Sequence, residues 1–273
     1  MKKISLAVVF LLVVITGFAQ NREKRSVSNF TRISFQTGGK MFLKQGATNS
    51  VELEGDREVL EKIETRVEGG KLIIGYEDEG SWFNWRSSWG DDEKITAYVT
   101  IKDLDGLYAS GSGSIIAQTK LTGDNMDIKV SGSGNIEAEI EAGDIEAKVS
   151  GSGDLALKGK VRSMDSDISG SGKIDFIGDI NGLLEIGISG SGRFSAMGSA
   201  REIKTTISGS GKVNAGDLVA DRCDVRISGS GDVVVNVKSA LNANISGSGT
   251  VTYKGNPSEF NTHSSGSGRI RKM

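Results

Sequence analysis

The residues best suited to contact a ligand lie in the segment 78–94, which reads DEGSWFNWRSSWGDDEK. Four aromatic side chains and one guanidinium group are gathered there: Trp82, Phe83, Trp85, Arg86 and Trp89. Clustered aromatic side chains on a surface loop can stack against sugar rings or anchor a protein partner. The same rings could instead pack onto the body of the protein, so the segment predicts either a binding loop or a packing element.

Residue types that carry catalysis or bind metals form no recognisable site in this sequence. No acidic and nucleophilic residues are spaced around the single histidine, His263, in a way that indicates a Ser-His-Asp arrangement. The recurring Gly-Ser-Gly does not open a helix after a strand, as a phosphate-binding loop requires. Acidic residues are expected to scatter over the surface, for example Asp154, Asp175, Asp179, Asp217 and Asp232. The sequence therefore predicts a protein that is not an enzyme, with no cofactor and no metal site.

The element that must position any such site is a repeat of Ser-Gly-Ser-Gly. Nine copies follow one another at intervals of 18 to 21 residues, beginning at Ser110, Ser131, Ser150, Ser169, Ser189, Ser208, Ser228, Ser246 and Ser265. A nearly fixed period of this size is typical of one supersecondary unit stacked on copies of itself.

Hydrophobic residues occupy alternate positions on both sides of each motif. Met126, Ile128 and Val130 precede Ser131, and Ile136 follows it. A period of two indicates strands with one buried face. The serines fall on outward positions and both glycines on inward ones. We therefore expect two exposed serine columns and a backbone that bends or narrows at the glycines.

The length of the repeat selects the architecture. A propeller blade needs roughly 40 to 45 residues, and no segment shows the helical period of a leucine-rich repeat. The sequence predicts an all-β fold, a single-chain right-handed parallel β-helix (solenoid) with about 19–20 residues per coil. Nine coils about 4.8 Å apart would form a rod of roughly 40 Å.

Three parts are predicted along the chain. Residues 1–19 resemble a signal peptide, because two lysines precede an apolar run that ends in small residues. Residues 20–108 form an N-terminal β-rich part, interpreted as irregular early coils of the same solenoid, with a separate small domain as the alternative. Residues 109–273 form the repeat solenoid. We expect export to the periplasm, the cell surface or the medium, with no later stretch apolar enough to span a membrane.

Local patterns place several elements within the first part. Strands are predicted at Phe30–Phe35, Lys40–Gln45, Ser50–Leu53, Lys71–Tyr76 and Ile95–Ile101, and a short helix at Asp56–Ile63. At the other end of the chain, Arg269, Arg271 and Lys272 place charge on what would be an open sheet edge.

Composition narrows the class of partner. The formal net charge is −2, which argues against nucleic acid or an anionic membrane as the partner. The single cysteine, Cys223, cannot form an internal disulfide. It occupies a position filled in other repeats by Met, Ile or Leu, so we expect a buried thiol.

The chain resembles the head GIN domain family, described as a "putative autotransporter adhesin" of Gram-negative bacteria. In the first part the resemblance lies in Phe30–Ile33, Gly38–Gly39, Gln45–Gly46, Val51–Leu53, Gly70–Ile74 and Tyr98–Ile101, which leads to Leu104 and Leu107. In the repeat part, the resemblance lies in Gly-Ser-Gly followed by a polar and then an aliphatic residue, as in residues 132–136. The resemblance implies a secreted β-helical domain without established catalytic residues, and it does not extend to the tryptophan-rich segment.

The expected function follows from these observations together. We expect an exported, non-enzymatic β-solenoid that binds a glycan or a surface protein at the cell envelope, with Trp82, Phe83, Trp85, Arg86 and Trp89 as the contact residues. Two alternatives stay open. One is a carbohydrate-active β-helix enzyme, which a cluster of carboxylates in one groove would favour. The other is a structural envelope protein without a specific ligand.

Overall fold

The computed structural model describes residues 21–76 and 95–273, of which 78% lie in β-strands and 2% in a helix. The strands join into one 19-stranded sheet that winds into a solenoid of about nine turns. The predicted β-solenoid is confirmed. Its right-handed sense, and the division of the chain at residues 19 and 108, stay predictions.

The described residues up to Ala117 contain nine strands and one short helix. In chain order they are β1 (Asn21–Arg25), β2 (Arg32–Gln36), β3 (Gly39–Gln45), β4 (Ser50–Gly55), α1 (Arg57–Leu60), β5 (Ile63–Glu68), β6 (Lys71–Tyr76), β7 (Ile95–Ile101), β8 (Gly106–Gly111) and β9 (Ser114–Ala117). The predicted strands coincide with β2, β3, β4, β6 and β7 to within two residues. Local pattern did not indicate β1 or β5.

The spatial order of the first coils differs from their order along the chain. β2 pairs in parallel with both β6 and β8, and β3 pairs in parallel with both β7 and β9. The coil of β2 and β3 therefore lies between the coil of β6 and β7 and the coil of β8 and β9. Of these strands, β2 and β3 come first along the chain and form the middle coil. β6 and β7 then form the outermost coil, and the chain returns to place β8 and β9 on the other side of β2 and β3.

Antiparallel strands close the N-terminal end of the solenoid. β5 pairs with β6, β4 with β7 and β1 with β4, all antiparallel. Helix α1 lies within the predicted range Asp56–Ile63 but spans only Arg57–Leu60, and it buries Val59 and Leu60. An exposed sheet edge is a template for pairing with another chain. At this end the parallel coils are covered, and the antiparallel strands β1 and β5 form the outermost edges.

The repeat part adds ten strands, β10 (Leu121–Gly132), β11 (Asn135–Gly151), β12 (Asp154–Gly170), β13 (Lys173–Gly190), β14 (Arg193–Gly209), β15 (Lys212–Gly229), β16 (Asp232–Gly247), β17 (Thr250–Lys254), β18 (Glu259–Gly266) and β19 (Arg269–Lys272). Equivalent residues of successive repeats pair in parallel, so Ser150 lies between Ser131 and Ser169. Because the register is kept, one type of side chain forms a column along the rod.

Apolar columns fill the interior. Ile136, Leu155 and Ile174 pair in successive coils and are all buried. Cys223 lies in a column with Ile203 and Leu241 and is 1% exposed, which confirms the expected core thiol. Burial raises the pKa of this thiol to about 12.

The two glycines of each motif have different roles, which corrects the expectation that both face inward. The second glycine is buried; a Cβ on Gly172 would lie 2.4 Å from Cγ1 of Val149. The first glycine lies at the surface, and Gly170 has a φ of +113°, which side chains rarely tolerate. The serines are exposed as predicted, for example Ser169 and Ser171.

Candidate functional site

The predicted binding residues lie outside the part of the chain that the structure describes. They are Trp82, Phe83, Trp85, Arg86 and Trp89, between β6 and β7. The described strands fix where this segment is attached. Gly75 pairs with Gln36, and Ile95 pairs with Gly39. The neighbouring coil turns its corner between Gln36 and Gly39, so the segment is inserted at that corner, in the outermost N-terminal coil.

Outward side chains on one face of the repeat form two neighbouring columns. The first column runs Asp127, Glu146, Asp165, Glu185, Lys204, Asp224, Asn242 and Asn261. The second column, two residues further along each strand, runs Lys129, Lys148, Asp167, Gly187, Thr206, Arg226, Asn244 and His263. The character of these columns changes along the rod, from charged at one end to amide-rich at the other.

Four consecutive coils place a carboxylate in the first column, so the expectation of scattered acidic residues is wrong here. Lysines of the second column neutralise two of them. Lys129 Nζ lies 2.7 Å from Asp127 Oδ2. Lys148 hydrogen-bonds to Glu146 and lowers the pKa of that carboxyl. The column can be recognised in the sequence when the repeats are aligned on their Ser-Gly-Ser-Gly motifs, because every member stands four residues before the first serine of its motif.

Asp165 differs from the other carboxylates of the first column. Burial raises its pKa, and the charges of Asp167 and Glu185 raise it further. It pairs with Glu146, whose pKa is lowered. Neighbouring carboxyls with pKa values pushed apart occur in acid–base catalysis. Among residues 21–76 and 95–273, however, no group of three or more His, Cys, Asp or Glu residues is arranged to hold a metal ion.

A shallow, open groove of about 620 Å³ lies at the amide-rich end of the columns. Its walls are formed by Asp224, Asn242 and Asn261 on one side and by Arg226, Asn244 and His263 on the other. The side chains of Val225 and Ala243 are buried, so these residues line the floor with their backbone. The groove therefore presents three amides, a carboxylate, a guanidinium and an imidazole across three coils.

Hydrogen bonds fix the orientation of the first wall. Asn242 Nδ2 donates to Asp224 Oδ1 over 2.9 Å, and Asn261 Nδ2 donates to Asn242 Oδ1 over 3.2 Å. A chain of amides aligned in this way polarises each member and restricts its rotation. Phe260 lies at the end of the groove, with 45% of its surface exposed and its ring 5.3 Å from that of Tyr253. This groove was not predicted from the sequence, although the polar-x-polar triplets 224–226, 242–244 and 261–263 recur in register.

Another aromatic group lies at the N-terminal end, on the face that carries β3 and β7. The rings of Phe42 and Tyr98 stack with 5.6 Å between their centroids, and the guanidinium carbon of Arg22 lies 4.1 Å from the centroid of Tyr98. Arg22 also pairs with Glu52, with 2.8 Å between Nε and Oε2. Phe42 and Arg22 therefore both pack against the Tyr98 ring, and these contacts fasten β1 to the solenoid.

One further property concerns membranes. Within the described ranges of the chain, no helix combines the length and the apolar character needed to cross a lipid bilayer. The only helix among the described residues, α1, spans four residues.

Comparisons with known proteins agree with this architecture. The chain matches no curated protein. It is 25% identical to a protein of solved structure from Parabacteroides distasonis that is described as a "Putative lipid binding protein", with a TM-score of 0.69 over 94% of this chain and 97% of that one. It is 20% identical to a putative adhesin from Parabacteroides merdae, with a TM-score of 0.68 over 94% and 97% of the two chains. A family described as "Putative auto-transporter adhesin, head GIN domain" matches residues 29–197 and 181–257. The chain belongs to this family.

Proposed function

We propose that this protein is an exported, non-enzymatic adhesin that binds a glycan of the cell envelope in the groove of the last three coils. The observation that carries the proposal is the pair of polar walls, 224/242/261 and 226/244/263. Sugar hydroxyls both donate and accept hydrogen bonds, and amide side chains offer both functions at once. The walls stand on paired strands, which hold the side chains more precisely than a loop would. Membership of an adhesin-type family supports a binding role.

The tryptophan-rich segment forms the second part of the proposal. Trp82, Phe83, Trp85, Arg86 and Trp89 contact the same glycan or a surface protein. The segment is attached in the outermost N-terminal coil, whereas the groove lies on the last three coils. The two sites would therefore engage different parts of an extended ligand, and their contributions can be separated by mutation.

Export is proposed from residues 1–19, with the mature chain beginning at Gln20. The mature chain would then reside in the periplasm, on the cell surface or in the medium. Amino-terminal sequencing of the protein recovered from the envelope and from the medium tests this. A chain that retains the first 19 residues in every fraction contradicts it.

The experiment for the binding function is a glycan-array screen with the mature protein. An Asn242→Ala/Asn244→Ala variant removes one amide from each wall. An Asn135→Ala/Asn214→Ala variant is the matched control, since both of those amides are exposed and lie outside the groove. Two lost hydrogen bonds of about 1 kcal/mol each predict affinity lower by about tenfold or more. A Trp85→Ala variant reports on the loop.

The outcomes of this screen separate the alternatives. Saturable binding that the groove variant loses and the control keeps supports the proposal. Binding lost only by Trp85→Ala would place the site on the loop and remove the groove from the account. The absence of binding by the unchanged protein would favour a structural envelope role.

A carbohydrate-active enzyme is the second candidate, favoured by the opposed pKa shifts of Asp165 and Glu146. Adjacent strands are about 4.8 Å apart, which is close to the separation of about 5–5.5 Å between the carboxyls of retaining glycosidases. Release of reducing ends from array-positive polysaccharides tests this candidate. Turnover that Asp165→Asn and Glu146→Gln both abolish would establish it, and no turnover by the unchanged protein would reject it.

A further inference from the structure

The two ends of the solenoid are built differently. At the N-terminal end, α1 and the antiparallel strands cover the outermost coil. At the C-terminal end, β18 pairs with β16 and β19 pairs with β17, and no strand of the described chain lies on their other side. Each of the eight residues of β18 is exposed. The last coil is therefore a sheet edge that runs across two faces of the rod.

The exposed edge carries unpaired backbone groups. A strand with one neighbour leaves about half of its N–H and C=O groups without a partner in the sheet. Such a row can pair with an extended segment of another chain, which adds to the sheet as a further strand. β18 and β19 contribute eight and four residues to the edge.

Apolar side chains accompany these backbone groups. Phe260 pairs with the fully buried Leu241 of the preceding coil, yet 45% of its own surface is exposed, since no strand of the described chain pairs with the other side of β18. Ile270 packs only partly against the core, beneath Val251. An added strand with apolar side chains at the equivalent positions would bury both.

The charge of the edge restricts what can bind there. Arg269 and Arg271 occupy alternate outward positions of β19, and within the described residues neither forms a salt bridge. At the N-terminal end, the edge strand β1 carries Arg22 and Lys24 on its outward side, and both pair with Glu52 of β4. Stacking a second copy head to tail would bring Arg269 and Arg271 next to two cations that already share a single carboxylate, which is unfavourable. An acidic strand would instead place carboxylates opposite both arginines.

We propose that the C-terminal edge binds an extended segment of another protein in which acidic residues alternate with apolar or small ones. The segment continues the solenoid as a further partial coil. Its apolar residues cover Phe260 and Ile270, and its carboxylates pair with Arg269 and Arg271. Backbone hydrogen bonds supply affinity and the two ion pairs select an acidic sequence.

A peptide copied from the last coil tests this proposal. The probe is residues 259–272 with Arg269→Glu and Arg271→Glu, since repeats stack in register on their own sequence. The control peptide keeps both arginines. A third peptide carries the glutamates and is N-methylated at alternate residues, which blocks the backbone hydrogen bonds. Fluorescence anisotropy measures binding to the mature protein, and to an Arg269→Glu/Arg271→Glu protein whose fold is checked by circular dichroism.

This mode of binding predicts a specific order of affinities among the three peptides. The glutamate peptide should bind the unchanged protein about tenfold more tightly than the arginine peptide, the charge-reversed protein should invert this preference, and N-methylation should abolish binding. Equal binding of both peptides, or concentration-dependent dimers of the unchanged protein in sedimentation, would show that a second copy occupies the edge and overturn the proposal. Failure of the glutamate peptide to bind would also overturn it. Glycan binding in the groove uses other side chains and is measured separately.

Discussion

Asn242 donates a hydrogen bond to Asp224 of the preceding coil, with 2.9 Å between Nδ2 and Oδ1. Two residues further along the same strand, Asn244 pairs with Arg226. One asparagine therefore faces a carboxylate and the other a guanidinium. The same substitution at these two positions should have opposite effects, which tests the register of the groove walls.

Asn242→Asp should lower the free energy of unfolding at pH 7 by about 0.5–1 kcal/mol, because like charges opposite each other on neighbouring strands are destabilising. Repulsion would raise the folded-state pKa of the new carboxyl, so the penalty should shrink as pH falls toward 4 and the group is protonated. Asn244→Asp, beside Arg226, should be neutral or stabilising. Urea unfolding at both pH values measures the difference, and equal effects of the two substitutions would contradict this register.

Thr205→Val should stabilise the protein by about 1 kcal/mol. Thr205 is 1% exposed, and its Oγ1 has no hydrogen-bond partner among the described residues. Burying an unpaired hydroxyl costs about 1–3 kcal/mol, and valine has nearly the same shape. Ser166→Ala is the control, since Ser166 Oγ donates to the carbonyl of Glu185 over 2.9 Å, and its loss should destabilise. A Thr205→Val protein less stable than the unchanged protein would show that the hydroxyl has a partner.

Gly151→Ala should cost more stability than Gly111→Ala, although both glycines are the first of their motif. Both have positive φ, +114° and +83°, so each alanine carries a backbone strain of about 1–2 kcal/mol. A Cβ on Gly151 would lie 2.5 Å from the carbonyl oxygen of Gly132, whereas nothing lies within 4 Å of one on Gly111. The crowding adds about 1–3 kcal/mol at Gly151 alone. Equal losses in thermal unfolding would mean that the coils are not in contact at this corner.

Alkaline pH should destabilise the protein in part through Tyr108. Burial, followed by the hydrogen bond to Asp127, raises the pKa of Tyr108 to about 12 from an ordinary value of 10. Between pH 10 and 12 the unfolded chain loses a proton that the folded chain keeps, so stability falls as pH rises. Tyr108→Phe should flatten this decline in urea unfolding experiments. An unchanged pH dependence in the variant would exclude Tyr108 as a cause.

The repeat region could be predicted from sequence because its information is local. Alternation on both sides of each motif determines which side chains are buried, and a constant period determines the register, so Cys223 could be placed in the core. The two glycines could not be told apart, since a period of two says which way a residue points and nothing about φ. Glycine is needed at position 170 because the backbone there has a positive φ. It is needed at position 172 because the packed interior leaves no room for a side chain.

The N-terminal coils and the groove depend on long-range contacts that alternation does not encode. The position of β2 between β6 and β8 is set by pairing between strands separated by other elements of the chain. The groove arises because three polar triplets stack on successive coils, and each triplet alone, such as Asn242-Ala243-Asn244, looks like an ordinary solvated strand. Composition drew attention to the tryptophans, whereas the groove becomes apparent only when the repeats are placed in register.

The most direct test of glycan binding in the groove is to map backbone amide resonances of the mature protein during titration with the strongest ligand of the array. We predict saturable shifts in residues 224–226, 242–244 and 260–263, and their loss in the Asn242→Ala/Asn244→Ala protein. Shifts of the tryptophan indole groups would report contact with the loop independently. Shifts confined to other faces of the rod, or groove shifts that persist in the variant, would contradict the proposed site.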